Sequence, residues 1–152
     1  TVVIDHKESA ERAAFETALL GELERHRVEL VILAGWSRVL TGRFLDHYVD
    51  RVLNVHPSLL PAFPGLHAQK QALAHGVKVT GCTVHLCSPD VDEGPIVLQA
   101  AVPVLEDDDE QCLRARILTR EHEILPRAVS LLAQGRVSRS GRRVRISRES
   151  ED

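Results

Sequence analysis

Apolar positions along this chain change period several times, and each change marks an element. Val2-Val3-Ile4 reads as a short apolar strand. Ser9 is the expected N-cap of a helix running to about Arg25, because Phe15, Leu19 and Leu23 recur at i, i+4 and i+8. Leu30-Val31-Ile32-Leu33 is a continuous aliphatic run without alternation, the pattern of a parallel strand buried on both faces. Val52-Leu53-Asn54-Val55 is a second such strand. Between them Phe44, Leu45, Tyr48 and Val49 keep helical spacing, so strand, helix and strand follow one another as in a right-handed crossover. The expected class is α/β.

The next segment, Pro57 to Gly65, carries prolines at 57, 61 and 64, which exclude both a helix and a central strand and predict a rigid loop. Leu66 to His75 is expected to be helical and closed by Gly76. From Thr80 to Leu86 the residues alternate, with Cys82, Val84 and Leu86 on one face and Thr83, His85 and Cys87 on the other. Ile96-Val97-Leu98-Gln99 begins another strand. The acidic run from Glu106 to Glu110 precedes Leu113, Ile117 and Leu118, where a helix N-terminus favours negative charge. Pro126 is expected to kink or divide that helix, which ends near Gly135. Val137 to Ile146, with Gly141 at its centre, predicts a small hairpin. There is no internal repeat and no linker.

Composition narrows the class without naming a function. The chain has 152 residues, 43% hydrophobic and 27% charged, enough for one domain with a core. No apolar run approaches the roughly 20 residues of a spanning helix, so a cytoplasmic setting without membrane partners is the default. Cys82, Cys87 and Cys112 form neither an even framework nor a C-x-x-C pair, which points to buried thiols rather than disulfides. A zinc site from Cys82, His85 and Cys87 is disfavoured because alternation turns Cys82 away from the other two. The net charge of −3 selects no nucleic acid partner. The six arginines from Arg136 to Arg148 are interleaved with Val, Ser and Gly and read as an exposed hairpin. The sequence contains no methionine, so the chain is expected to be one that lacks its natural start.

In open α/β sheets ligands bind beyond the carboxyl ends of the strands. The exits here are polar: Gly35-Trp36-Ser37-Arg38-Val39-Leu40, then Asn54-Val55-His56-Pro57, then Ser88-Pro89-Asp90-Val91-Asp92-Glu93-Gly94. Asn54 and His56 are two apart on a strand and therefore share a face. Two hydrogen-bond donors side by side suit a developing oxyanion. Without further context, a satisfied polar pair at a strand end remains the commoner reading of such residues.

The stretch Asn54-Val55-His56-Pro57-Ser58-Leu59-Leu60-Pro61-Ala62-Phe63-Pro64-Gly65, followed by Gly81-Cys82-Thr83-Val84-His85 and Asp92-Glu93-Gly94-Pro95-Ile96, resembles the folate-dependent formyltransferases, and within them the branch acting on glycinamide ribonucleotide. The resemblance extends from about Arg12 to the Glu121-His122 pair and the closing hairpin. It implies a Rossmann-like fold with a mostly parallel central sheet flanked by helices. It also implies transfer of a formyl group from 10-formyltetrahydrofolate, used as co-substrate without a metal, to the amino group of glycinamide ribonucleotide in purine biosynthesis.

By the same resemblance, His56 is the catalytic acid, Asn54 a donor to the formyl oxygen, and Asp92 the carboxylate that keeps His56 protonated. His67 is a secondary candidate, and Thr83 and His85 are expected to look into the same cleft. The folate site would comprise Ser37, Arg38, Val39 and Leu40 with the loop Ser88, Pro89, Asp90, Val91 and Asp92, while Arg12 approaches the anionic glutamate tail. Glu121 would contact the acceptor amine. Trp36 and Ser37 depart from the phenylalanine and methionine common in the family, which bears on pterin packing rather than on the chemical step.

Three other readings stay open. A formyltetrahydrofolate deformylase uses a similar Asn, His and Asp set with water as acceptor, although Pro57 after His56 favours the transferase. A methionyl-tRNA formyltransferase would need a tRNA-binding domain for which 136–152 is too short. A non-catalytic folate-binding fragment is the third, because the family's Gly-rich phosphate loop has no counterpart before Val2. The expectation is therefore a single formyltransferase domain over 1–152, truncated at its N-terminus and weakly active or inactive by itself. Self-association into a homo-oligomer would be one way to cover an open sheet edge.

Overall fold

The structure is a computed structural model that describes residues 1–5, 11–36 and 38–148. Ser9 and Ser37 lie outside the described residues. Helix α1 (Arg12–Arg25) leads to strand β1 (Val31–Leu33), helix α2 (Gly42–His47) and strand β2 (Val52–His56). The proline loop and helix α3 (Ala68–His75) connect to β3 (Val79–Leu86) and β4 (Ile96–Pro103). Helix α4 (Glu110–Ala133) and the hairpin β5 (Val137–Ser140) and β6 (Arg143–Ile146) complete the chain.

The main sheet has the order β1-β2-β3-β4. β1 and β2 are parallel, as the crossover pattern requires, but β2 and β3 are antiparallel, and so are β3 and β4. Among the described residues the sheet is thus mixed rather than mostly parallel. For the β3 and β4 pair the sequence carries the reason. β3 alternates polar and apolar residues, and the short 87–95 connection to β4 has no room for the crossover helix that a parallel return needs.

Two apolar clusters cover opposite faces of β2. Val52 packs with Leu20 of α1, Leu40, and Phe44 and Tyr48 at α2. Leu53 packs instead with Cys82, Val84 and Leu86 of β3 and with Leu113, Ile117, Ile124 and Ala128 of α4. Strand alternation separates the two clusters. Each large side chain buried there contributes about 1.5–3 kcal/mol. On the Val52 face the next residues are Asn54 and His56, so the strand passes from an apolar cluster to polar chemistry along one face.

Several expectations need correction. Residues 1–5 form no strand, and Val3 is 85% exposed. β1 is not buried on both faces: among the described residues it pairs only with β2, and Ile32 is 42% exposed. Pro126 lies inside one continuous helix of 24 residues rather than dividing it, because Ile124, Ala128 and Leu131 on either side stay buried. α2 is short, ending at His47, and leaves Val49 outside it.

One polar contact joining α1 to α2 had no sequence signal. Glu16 is buried, and its carboxylate accepts from the Thr41 backbone N–H at 2.8 Å and from the Thr41 hydroxyl. Thr41 is the N-cap of α2. A carboxylate at that end also complements the helix dipole. No helix among the described residues is long and apolar enough to cross a membrane.

Candidate active site

The polar strand exits converge on a cavity of about 480 Å³ beyond Leu33, Asn54 and His56. Antiparallel register places His85 opposite Asn54 and Thr83 opposite His56, so four polar side chains share one face of neighbouring strands. The fifth polar group, Asp92, comes from the loop after β3, with φ 56°, a conformation that aspartate tolerates better than most residues.

Asp92 stands between two imidazoles. Its Oδ2 lies 3.4 Å from His56 Nδ1, and its Oδ1 lies 3.8 Å from His85 Nε2. The other nitrogen of His56, Nε2, lies 2.8 Å from the Phe63 carbonyl oxygen of the proline loop. Both neighbours of the His56 ring are acceptors, so a doubly protonated ring offers an N–H to each. All three side chains are sheltered, at 6%, 9% and 3% exposure for His56, Asp92 and His85.

The proline loop is held to this group at several points. Thr83 Oγ1 donates to the Ser58 carbonyl at 2.7 Å and accepts from the Leu60 N–H at 3.1 Å. Gln99 Nε2 donates to that same Oγ1 at 3.0 Å. Farther along, the Gly65 N–H donates to Asp92 Oδ2 at 2.7 Å. Gly94 is required for close approach, since a Cβ there would fall 1.6 Å from the Leu86 carbonyl oxygen and 3.1 Å from His85 Nδ1.

The chain's local environment sets the charge of its neighbours. Burial lowers the His85 pKa, with the charge of His56 acting the same way, against the opposing effects of the Leu86 carbonyl and Asp92. Burial, with Asp92 nearby, pushes the Cys87 thiol at the cavity wall up to about 12, which keeps it protonated and unreactive. Cys82, on the opposite face of β3, is pushed up to about 11, again chiefly by burial.

Arg38, Val39, Leu40, His67, Ser88, Asp90 and Val91 line the same cavity. Pro89 and Arg12 do not; the Arg12 guanidinium instead lies 3.8 Å from Glu16. Trp36 stacks on Phe15 with ring centres 6.3 Å apart, and Arg38 covers the Phe15 ring at 5.3 Å. Glu121 lines a second cavity of about 670 Å³ against α4, together with Gln69, Arg114 and His122. Gly35, Val55 and Pro57 border both cavities. Burial raises the Glu121 pKa, while the nearby His122, His56 and Arg114 oppose that shift.

Residues 1–129 match the formyl transferase family. The chain belongs to that family. Within it, phosphoribosylglycinamide formyltransferase of Escherichia coli (strain K12) is 44% identical over 126 residues, which is 83% of this chain and 59% of that protein. The chain spans between 10% and 66% of the length of the curated relatives it matches. Among solved structures, glycinamide ribonucleotide transformylase 1 from Symbiobacterium toebii superposes with a TM-score of 0.93 at 56% identity, covering 95% of this chain and 68% of that one. A formyltetrahydrofolate deformylase from Pseudomonas syringae pv. tomato superposes at 0.87 with 26% identity, covering 97% of this chain and 48% of the other. The formyltransferase fold thus accounts for the α/β architecture and the closing hairpin.

Three features of the site have no local sequence signal: the Phe63 carbonyl on His56, the Gly65 N–H on Asp92, and the Asn54 and His85 contact at 3.3 Å. Each depends on the antiparallel register of β3 or on the fold of the proline loop. A pairing of Asn54 with His85 becomes readable only once that register is known.

Proposed function

We propose that the chain carries the formyl-transfer centre of an enzyme that moves a formyl group from 10-formyltetrahydrofolate to the amino group of glycinamide ribonucleotide. The observation that carries this reading is the Asn54, His56 and Asp92 group at the rim of the first cavity, beside a second cavity reached across Gly35, Val55 and Pro57. The first cavity would take the folate, with Arg38, Val39, Leu40, Ser88, Asp90, Val91 and Asp92 around the pterin. Ser37 belongs to the same segment as Arg38, whereas Pro89 and Arg12 stand outside the cavity lining, and the family resemblance alone assigns them to the folate, Arg12 at its glutamate tail. The second cavity would take the acceptor, with Glu121 near its amine.

The acceptor amine attacks the formyl carbon, and negative charge grows on the formyl oxygen. An Asn54 N–H and a His56 N–H stabilise it, each donor contributing about 3 kcal/mol. His56 Nε2 reaches that oxygen by exchanging its Phe63 carbonyl partner for it, while Asp92 stays at Nδ1 and stabilises the imidazolium. As the tetrahedral adduct collapses, the carbon–nitrogen bond to the folate breaks. The proton lost by the attacking nitrogen is delivered to the departing folate nitrogen, with His56 as the group placed to relay it. The products are the formylated amine and tetrahydrofolate.

A hydrolytic reading, with water in place of the amine, is the alternative. The 56% identity to a glycinamide ribonucleotide transformylase, against 26% to a deformylase, favours transfer. The test measures tetrahydrofolate release with and without glycinamide ribonucleotide, alongside His56→Ala. Release that depends on the acceptor and falls at least about 100-fold in the variant supports the proposal. Equal release without acceptor points to hydrolysis, and a rate unchanged by His56→Ala overturns the catalytic assignment.

A further inference from the structure

We infer that His85 is a positioning residue for formyl transfer, a buried imidazole whose Nε2 holds the Asn54 amide so that its remaining N–H faces the first cavity; this rests on the formyl-transfer reading of the site. The chemical step itself leaves His85 unused.

The tautomer follows from the partner at each nitrogen. His85 Nδ1 lies 3.0 Å from the Leu86 carbonyl oxygen, which can only accept, so Nδ1 carries the proton. Burial disfavours a second proton on this ring. Nε2 therefore presents a lone pair. The donor within reach is Asn54 Nδ2 at 3.3 Å, whereas Asp92 Oδ1 at 3.8 Å is beyond hydrogen-bond distance. With one amide N–H committed to His85, the orientation of Asn54 is fixed, and its other N–H is left for a ligand oxygen in the cavity that Asn54 lines.

The scaffold around His85 reads as built for this arrangement. The pairing of β3 with β4 shifts register between Val84 and His85, and such irregularities re-aim a side chain. Gly94 then closes on the Leu86 carbonyl and on His85 Nδ1, where even a methyl group has no room. An imidazole anchored on one nitrogen by a backbone carbonyl is a stable acceptor for the amide on the other. Asn54 has few other restraints, because no further side-chain hydrogen bond holds it among the described residues.

The test compares His85→Leu, which removes the acceptor, with His85→Gln, whose side-chain oxygen reaches the place of Nε2. Formyl transfer is expected to fall about 100-fold in kcat for His85→Leu, with the folate KM changed less than about threefold, and His85→Gln to regain at least about tenfold. A leucine variant as fast as the parent chain overturns the inference, and so do leucine and glutamine variants equally slow. Ring nitrogen NMR supplies a readout independent of turnover: a neutral ring protonated at Nδ1, and an Asn54 amide resonance that moves in His85→Leu, are expected. A ring protonated at Nε2 overturns the inference. A parent chain without acceptor-dependent transfer counts against the formyl-transfer reading alone, and the NMR result then decides the His85 assignment.

Discussion

Gly65 donates its backbone N–H to the Asp92 carboxylate at 2.7 Å. The loop that follows His56 thus returns to grip the partner of His56, and one oxygen of Asp92, Oδ2, meets both the Gly65 N–H and the His56 ring. Asp92→Asn keeps an acceptor for Gly65 but loses the charge beside His56. Formyl transfer is expected to fall about 100-fold or more while the melting temperature changes little. Steady-state kinetics and a thermal melt on one preparation check both halves; a variant with full activity removes Asp92 from the mechanism.

Thr83→Val tests how the proline loop is hung. The substitution preserves shape yet leaves the Ser58 carbonyl and the Leu60 N–H without their partner in a buried place. The expected loss is about 2–4 kcal/mol of folding stability, read from urea unfolding. Activity should fall as well at temperatures where the chain remains folded, because Phe63 and Gly65 ride on the same loop.

Glu121→Gln separates stability from binding. Burial raises the Glu121 pKa, so the native state holds that proton more tightly than the unfolded chain does. Its contribution is therefore present at low pH and lost as pH rises through the folded value. Glutamine carries no such loss. The variant should match the parent below about pH 4 and melt at a higher temperature near neutrality, while its KM for the acceptor rises. A parent chain at least as stable as the variant at neutral pH would contradict the sign.

Asp108 gives the opposite pH dependence. Its carboxylate is held at about 2 by the Arg116 side chain, with the Leu105 N–H adding to the effect. The stabilisation is present above the ordinary aspartate range of about 3.9 and is lost as pH falls toward about 2. Arg116→Met should therefore flatten acid unfolding between those values. Since Arg116 Nη1 also donates to the Pro103 carbonyl at 2.9 Å, some stability should be lost at neutral pH too. Circular dichroism across an acid titration of both chains provides the check.

Much of the fold is legible because side-chain period reports burial directly. The aliphatic run ending at Leu33, the helical spacing on α4 and the glycine at 141 all produce the elements they suggest. The sheet direction is harder to read, since Val52 to Val55 looks the same whether its second neighbour is parallel or antiparallel. Residues 31–33 illustrate a related limit: an apolar run specifies a strand, while its exposure depends on what packs against it. At the site, the strand exits bring Asn54, His56 and Asp92 to one rim without any need for backbone detail. The contacts that restrain them come from the Phe63 carbonyl, the Gly65 N–H and the space at Gly94, backbone features that side-chain patterning does not encode.

β3 is bonded along both edges and buried from Thr80 to Leu86, and it carries Thr83 and His85. Amide protons there are expected to exchange with solvent only through large-scale opening, whereas among the described residues β1 and the β5–β6 hairpin lie at the periphery. Thr83 and His85 thus stand on a strand with bonded neighbours on both sides, where slow exchange is expected.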